Sequence, residues 1–159
     1  MFAWAACAVF AVVALRDLGW RCIDNILVGL LLLSWVGFLA SRGGGLPDLA
    51  STLAVGGAAF LAMTLFFALG WIGGGDVKLA LPVFLWAGLE NALGILVVVA
   101  VCGLILGLLG FLSGLLCRLS LPVLLARTLT LFSAERGVPY GVALSVGGVL
   151  AALAASART

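Results

Sequence analysis

From Ala92 to Cys117 the chain carries no charged residue. A helix needs ~20 apolar residues to cross a bilayer, and this run exceeds that. In lipid only a helix or a closed barrel satisfies its own backbone hydrogen bonds. Other apolar runs cover 2–15 (extendable to Leu18), 26–40, 48–69, 76–87 and 138–155, and short segments between them hold nearly all the charge. Of 159 residues 65% are hydrophobic and only 9% charged, and the mean hydropathy is +1.39. That leaves too little charge to coat a soluble domain. The pattern predicts an all-α polytopic membrane protein of about six transmembrane helices, forming a single membrane-embedded domain over 1–159.

The remaining segments read as connections. Arg16-Asp17-Leu18-Gly19-Trp20-Arg21 is the expected first loop, with Trp20 as an interfacial aromatic. Asp24 or Asn25 is placed to cap the second span. Ser41 to Pro47 reads as a glycine-rich turn. Gly56, Gly57, Ala58 and Ala59 predict close helix packing in the third span. Pro82 is expected to kink the fourth span, and Glu90-Asn91 to turn the chain into the fifth. Gly103 to Gly107 and Gly110 to Gly114 are read as packing faces. Residues 118–137 mix leucines with Arg118, Arg127 and Arg136, which suggests an interfacial amphipathic helix.

Charge sets the orientation. With the N-terminus outside, the inner connections carry Arg16, Arg21, Lys78, Arg118, Arg127 and Arg136, and the outer ones only Arg42 and Arg158. The positive-inside rule therefore favours an outside N-terminus. A net charge of +2, spread over loops, gives no reason to expect nucleic acid as a partner. There is no histidine, and Cys7, Cys22, Cys102 and Cys117 form no C-x-x-C pair, which argues against a zinc site.

The feature that asks for a function is Gly73-Gly74-Gly75-Asp76-Val77-Lys78-Leu79. A carboxylate at the mouth of a membrane helix is costly, and bare glycines beside it let another backbone come close. With six spans the first loop lies on the same face as this stretch, so Asp17 can meet Asp76. Asp48 and Glu90 fall on the other side. Two carboxylates held together share one proton. The ionised acid can take a proton from water and the neutral one can donate to a carbonyl. That chemistry cuts peptides without histidine, serine, cysteine or metal. The residues alone also allow simpler roles. Asp17 can be a loop charge beside Arg16 and Arg21, Asp76 a helix cap, and Lys78 a headgroup-facing charge or a group that tunes Asp76 or holds the loop. Asp24 competes with Asp17 as the second acid. A transporter or pilus-assembly component that binds a cation or proton at Asp76 is the rival function.

The stretch 73–79 resembles the G-x-G-D-x-K-L motif of the type IV prepilin leader peptidases, the G-x-G-D aspartyl proteases that also include preflagellin peptidases and, more distantly, presenilin. Asp17-Leu18, followed by Ile23-Asp24-Asn25, resembles the family's first acid motif, with Asp24 standing where the family usually has proline. Val138-Pro139-Tyr140-Gly141-Val142-Ala143 resembles the P-Y-G-x-A segment that opens its last span. The resemblance implies an aspartic endopeptidase without cofactor, with Asp17 and Asp76 as the catalytic pair. It implies that Gly73 and Gly75 shape the loop around Asp76, that Lys78 belongs to the same motif, and that Pro139 and Tyr140 pack under the site or contact substrate. The chain is most similar to the short forms associated with Flp-type, tight-adherence pili, with no room for a methyltransferase region. The expected substrate is a prepilin with a short basic leader before an apolar helix, cut at the cytoplasmic face of the bacterial inner membrane.

Overall fold

The computed structural model describes residues 1–43, 46–117 and 139–158. They form five helices: α1 (Phe2–Trp20), α2 (Asn25–Arg42), α3 (Leu46–Ala68), α4 (Gly74–Cys117) and α5 (Tyr140–Ser156). Among the described residues there is no strand. The amphipathic helix expected over 118–137 lies outside the described residues, as do Gly44, Gly45 and Val138. Four helices are long and apolar enough to cross a membrane, and α5 is apolar but shorter.

One helix end moves from its expected place, and the break in α4 falls just past the expected end of the fourth run at Ala87. α1 does not stop at Leu15 but continues to Trp20, so the expected first loop is mostly helix. It closes at Arg21, which takes a left-handed conformation (φ 53°, ψ 33°) and donates its N–H to the Asp17 carbonyl. α4 breaks at Gly88, not at Pro82 or Glu90-Asn91. Pro82 keeps helical dihedral angles, whereas Gly88 has φ 63° and ψ 177°. A proline ring suits the helical φ of about −65°, and the bilayer tolerates the one lost backbone bond when neighbours cover it. Gly88 occupies a region of backbone space open almost only to glycine.

The side-chain pairings show that the chain doubles back there. Gly74 lies against Phe67, Gly56 against Leu85 and Gly88 against Thr52, so residues 74–87 run antiparallel to α3. Lys78 bonds Asn25 and Trp86 packs on Phe38, with centroids 4.9 Å apart, so the same arm runs parallel to α2. α1 runs antiparallel to α2, with Phe2 against Gly37. It also runs antiparallel to α5, with Phe10 against Gly148 and Asp17 against Gly141. Beyond Gly88, Ile95 and Val99 meet Gly147, and Gly103 meets Tyr140, so residues 89–117 run antiparallel to α5. These directions are compatible only if the two arms of α4 oppose each other.

α5 and α4 share the most extensive contact, followed by α4 with α3 and α5 with α1. Phe10, Val13, Leu31, Leu79, Val83 and Leu144 are fully buried between them. Leu61, Leu65 and Phe67 on α3 stay exposed, as lipid-facing side chains do. Lipid tails are as apolar as leucine, so close packing rather than water exclusion holds such helices together. The expectation of close packing at Gly56 is met by Leu85, while Gly57 faces open space. The break at Gly88 has a direct consequence. Gly88→Ala should destabilise the protein by about 1–3 kcal/mol, the cost of a side chain in so sparse a backbone region, read as a lower thermal midpoint in detergent. Gly57→Ala should leave the midpoint nearly unchanged.

Candidate active site

The site is assembled at one end of the bundle, from the last turn of α1, the first turn of α4 and the first turn of α5. Because α1 runs to Trp20, Asp17 lies in its last helical turn, and its side chain is only 5% exposed. A buried carboxylate needs donors. One comes from the start of α5, where the Val142 N–H donates to Asp17 Oδ2 at 3.2 Å while also reaching the Pro139 carbonyl at 3.1 Å. α5 begins at Pro139, which has no side-chain acceptor to cap the helix. Asp17 supplies that acceptor from another helix, at the end where the helix dipole favours negative charge.

Asp76 is the third residue of α4 and the acid of its first turn. Its backbone N–H donates to the Gly73 carbonyl at 3.1 Å, and its side chain is half-buried. Gly73 itself is exposed in the connection and lies next to Asp76 Oδ2, where a Cβ would come to 3.4 Å. Gly75 faces the α1–α2 connection, and a Cβ there would touch Ile23 at 3.4 Å. The Asp17 carboxylate is within electrostatic reach of Asp76, and Arg21 acts on both acids. Two of the expected acids thus lie at the same end of the bundle, with Arg21 at the C-terminal cap of α1 acting on both.

The other expected residues fall into two groups. Lys78 Nζ donates to Asn25 Oδ1 at 3.0 Å, so the lysine ties the start of α4 to the start of α2. Pro139 is fully buried beneath the site. The Tyr140 ring packs on Gly103, where a Cβ would come within 3.1 Å of it. Asp24 stands at the N-cap of α2 but makes no side-chain capping bond. It pairs instead with Arg16. Arg16, Trp20, Cys22 and Asp24 line an open recess of about 380 Å³ at the α1–α2 connection. Among the described residues no three histidine, cysteine, aspartate or glutamate side chains converge as a metal site would need.

Sequence reasoning missed Gly141. Its Cα lies so close to Asp17 that a Cβ would stand 2.7 Å from Cγ and 2.8 Å from Oδ2. The signs in the sequence are its place as the glycine of the P-Y-G-x-A segment, read there for Pro139 and Tyr140, and a position in the first turn of a helix that glycine does not otherwise favour.

The described helices thus form an apolar bundle that carries two acids at one end. The chain matches the profile of the type IV leader peptidase family over residues 4–108, more than half its length, and belongs to that family. The matched stretch holds both Asp17 and Asp76; Pro139 and Tyr140 lie beyond it. No curated protein matches the chain, and no solved structure does.

The Lys78 to Asn25 bond is open to solvent, so its contribution should be small. Lys78→Met and Asn25→Ala should each lower stability by up to about 1 kcal/mol, the range of a typical hydrogen bond. The double variant should cost no more than the larger single change, which a double-mutant cycle in thermal unfolding would read.

Proposed function

We propose that the protein is an aspartic endopeptidase that removes the short basic leader of a type IV, Flp-like prepilin at the cytoplasmic face of the inner membrane. The observation that carries this is the meeting of Asp17 and Asp76 at one end of the bundle, in a chain of the leader peptidase family. One acid, ionised, takes a proton from the attacking water. The other, protonated, donates to the scissile carbonyl and stabilises the negative charge that develops on it. When the tetrahedral intermediate collapses, a proton passes to the leaving amine and the pair returns to its shared-proton state.

The surroundings support the same reading. The recess at the α1–α2 connection is open, and the glycine connection before Asp76 has bare backbone that an extended peptide could pair with. In this reading the two opposed arms of α4 each cross the membrane and α5 crosses last. That gives six crossings with the N-terminus outside and both acids on the cytoplasmic side, where positive charge is in excess. The apolar helix of the prepilin docks among the spans and the basic leader stays at the cytoplasmic surface. The rival reading, ion or proton binding at Asp76 for transport, calls for acids near mid-membrane on facing helices. Here one acid is in the last turn of its helix and the other in the first.

Cleavage of a co-expressed prepilin with a short basic leader tests the proposal. Asp17→Asn and Asp76→Asn should each reduce cleavage by roughly 10²-fold or more, the usual contribution of a general acid or base, while the protein still inserts. Normal cleavage by either variant would sink the assignment. Asp24→Asn should stay within a few-fold of wild type, as changes at exposed positions do. The rate should also fall on both the acid and the alkaline side of an optimum, since the pair works with one proton between two carboxylates.

A further inference from the structure

We infer that Gly141 is a positioning residue, which seats Asp17 on the first turn of α5 and makes it the fixed member of the acid pair. Three observations point the same way. Asp17 is 5% exposed and enclosed on a continuous helix. Its Oδ2 takes the Val142 N–H at 3.2 Å. A Cβ at Gly141 would stand 2.7 Å from Cγ and 3.0 Å from Asp17 Cβ. The obstruction would thus meet the carboxyl group and the root of the side chain, not a flexible tip. α1 also packs on α5 through Phe10 and Gly148, so the same seam continues about two turns along both helices.

Asp76 is mounted differently. It is half-buried, on the first turn of a helix entered through Gly73-Gly74-Gly75, with its carboxylate over Gly73. Adjustment between the acids when a peptide binds therefore falls to Asp76 and its glycine connection, and Asp17 is the reference point that it closes onto. A pair that must hold water and carbonyl in reacting geometry loses rate steeply when one member is displaced by about 1 Å. Gly141 would act through Asp17, without touching substrate.

This role rests on the peptidase reading, and two measurements keep the two separable. The first uses the purified full-length protein and a peptide with a basic leader and the first apolar residues of a prepilin. Gly141→Ala should lower kcat at least about 10-fold with KM within about 2-fold, and Gly141→Val should lower it further. Gly148→Ala disturbs the same α1–α5 seam at Phe10, away from Asp17. It should lower the thermal midpoint at least as much as Gly141→Ala yet keep kcat within about 3-fold, a loss no larger than an indirect packing effect. Equal kcat losses in Gly141→Ala and Gly148→Ala, or normal turnover by Gly141→Ala, would overturn the positioning role.

The second measurement does not need activity. In a background without the native cysteines, Asp17→Cys with Gly141→Cys should form an internal disulfide on mild oxidation. The 3.0 Å separation of the two Cβ positions is slightly under the bonded range, so the helices need part by only about 0.5 Å. Failure to cross-link would overturn the seat itself. Efficient cross-linking in a protein whose wild type never cleaves the peptide would overturn the peptidase reading, and the positioning role with it.

Discussion

A carboxylate buried between apolar helices has to be answered by backbone donors, and the contact of Asp17 with the start of α5 is where this protein meets that demand. Much else follows from it. α1 must stay helical past its apolar run to present Asp17 at that height. α5 must begin with residues that leave the approach open, and Gly141 does so. The start of α5 must be held in place, which the burial of Pro139 and the packing of Tyr140 on Gly103 provide. The first helix in the chain and the last are thus completed by each other. The exchange is mutual: the acid gains a donor, and a helix that begins at a proline gains the cap its own residue cannot supply.

The sequence made the helical class and the approximate position of each helix legible because runs of apolar residues cannot be anything else in lipid. It was weaker at the ends. Arg16 and Asp17 look like loop residues because they are charged, yet α1 carries both. Arg16 reaches out to Asp24, and Asp17 turns inward to α5. Hydropathy registers charge and not the partner that charge will find. The turn between the arms of α4 was displaced for a similar reason. Pro82, Glu90 and Asn91 carry the conventional signs of a break, but a proline fits the helical φ, and polar residues at a helix start are unremarkable. Gly88, whose dihedral angles only glycine tolerates, makes the turn.

For the candidate site, the two acids were readable from their place at segment ends and from the motif around Asp76. The neighbours that govern them were not. Lys78 reads equally well as a headgroup charge until its bond to Asn25 is seen. Asp24 reads as a cap until Arg16 is seen to claim it. Gly141 stands in the P-Y-G-x-A segment, but that pattern does not say what the glycine makes room for, since its partner Asp17 is far away in sequence.

Volume alone would point to the wrong end of the molecule. A cavity of about 620 Å³ lies at the far end of α2 and α5, beside the break at Gly88, with Trp35, Trp86, Glu90 and Arg158 in its lining. Its ionic groups are committed to structure. Glu90 pairs with Arg158, and Arg42 donates to the Arg158 carbonyl at 3.0 Å, so these contacts tie the ends of three helices together. The recess at the α1–α2 connection is smaller, but it lies at the end of the bundle that carries both acids and the glycine connection. Peptide hydrolysis needs water, an extended substrate segment and a pair of acids sharing a proton. Under the proposed reading all three can meet only where a helix end opens to the aqueous side. One acid near the end of α1 and the other at the start of α4 is the arrangement that lets a bundle with a dry apolar core do so without breaking that core open.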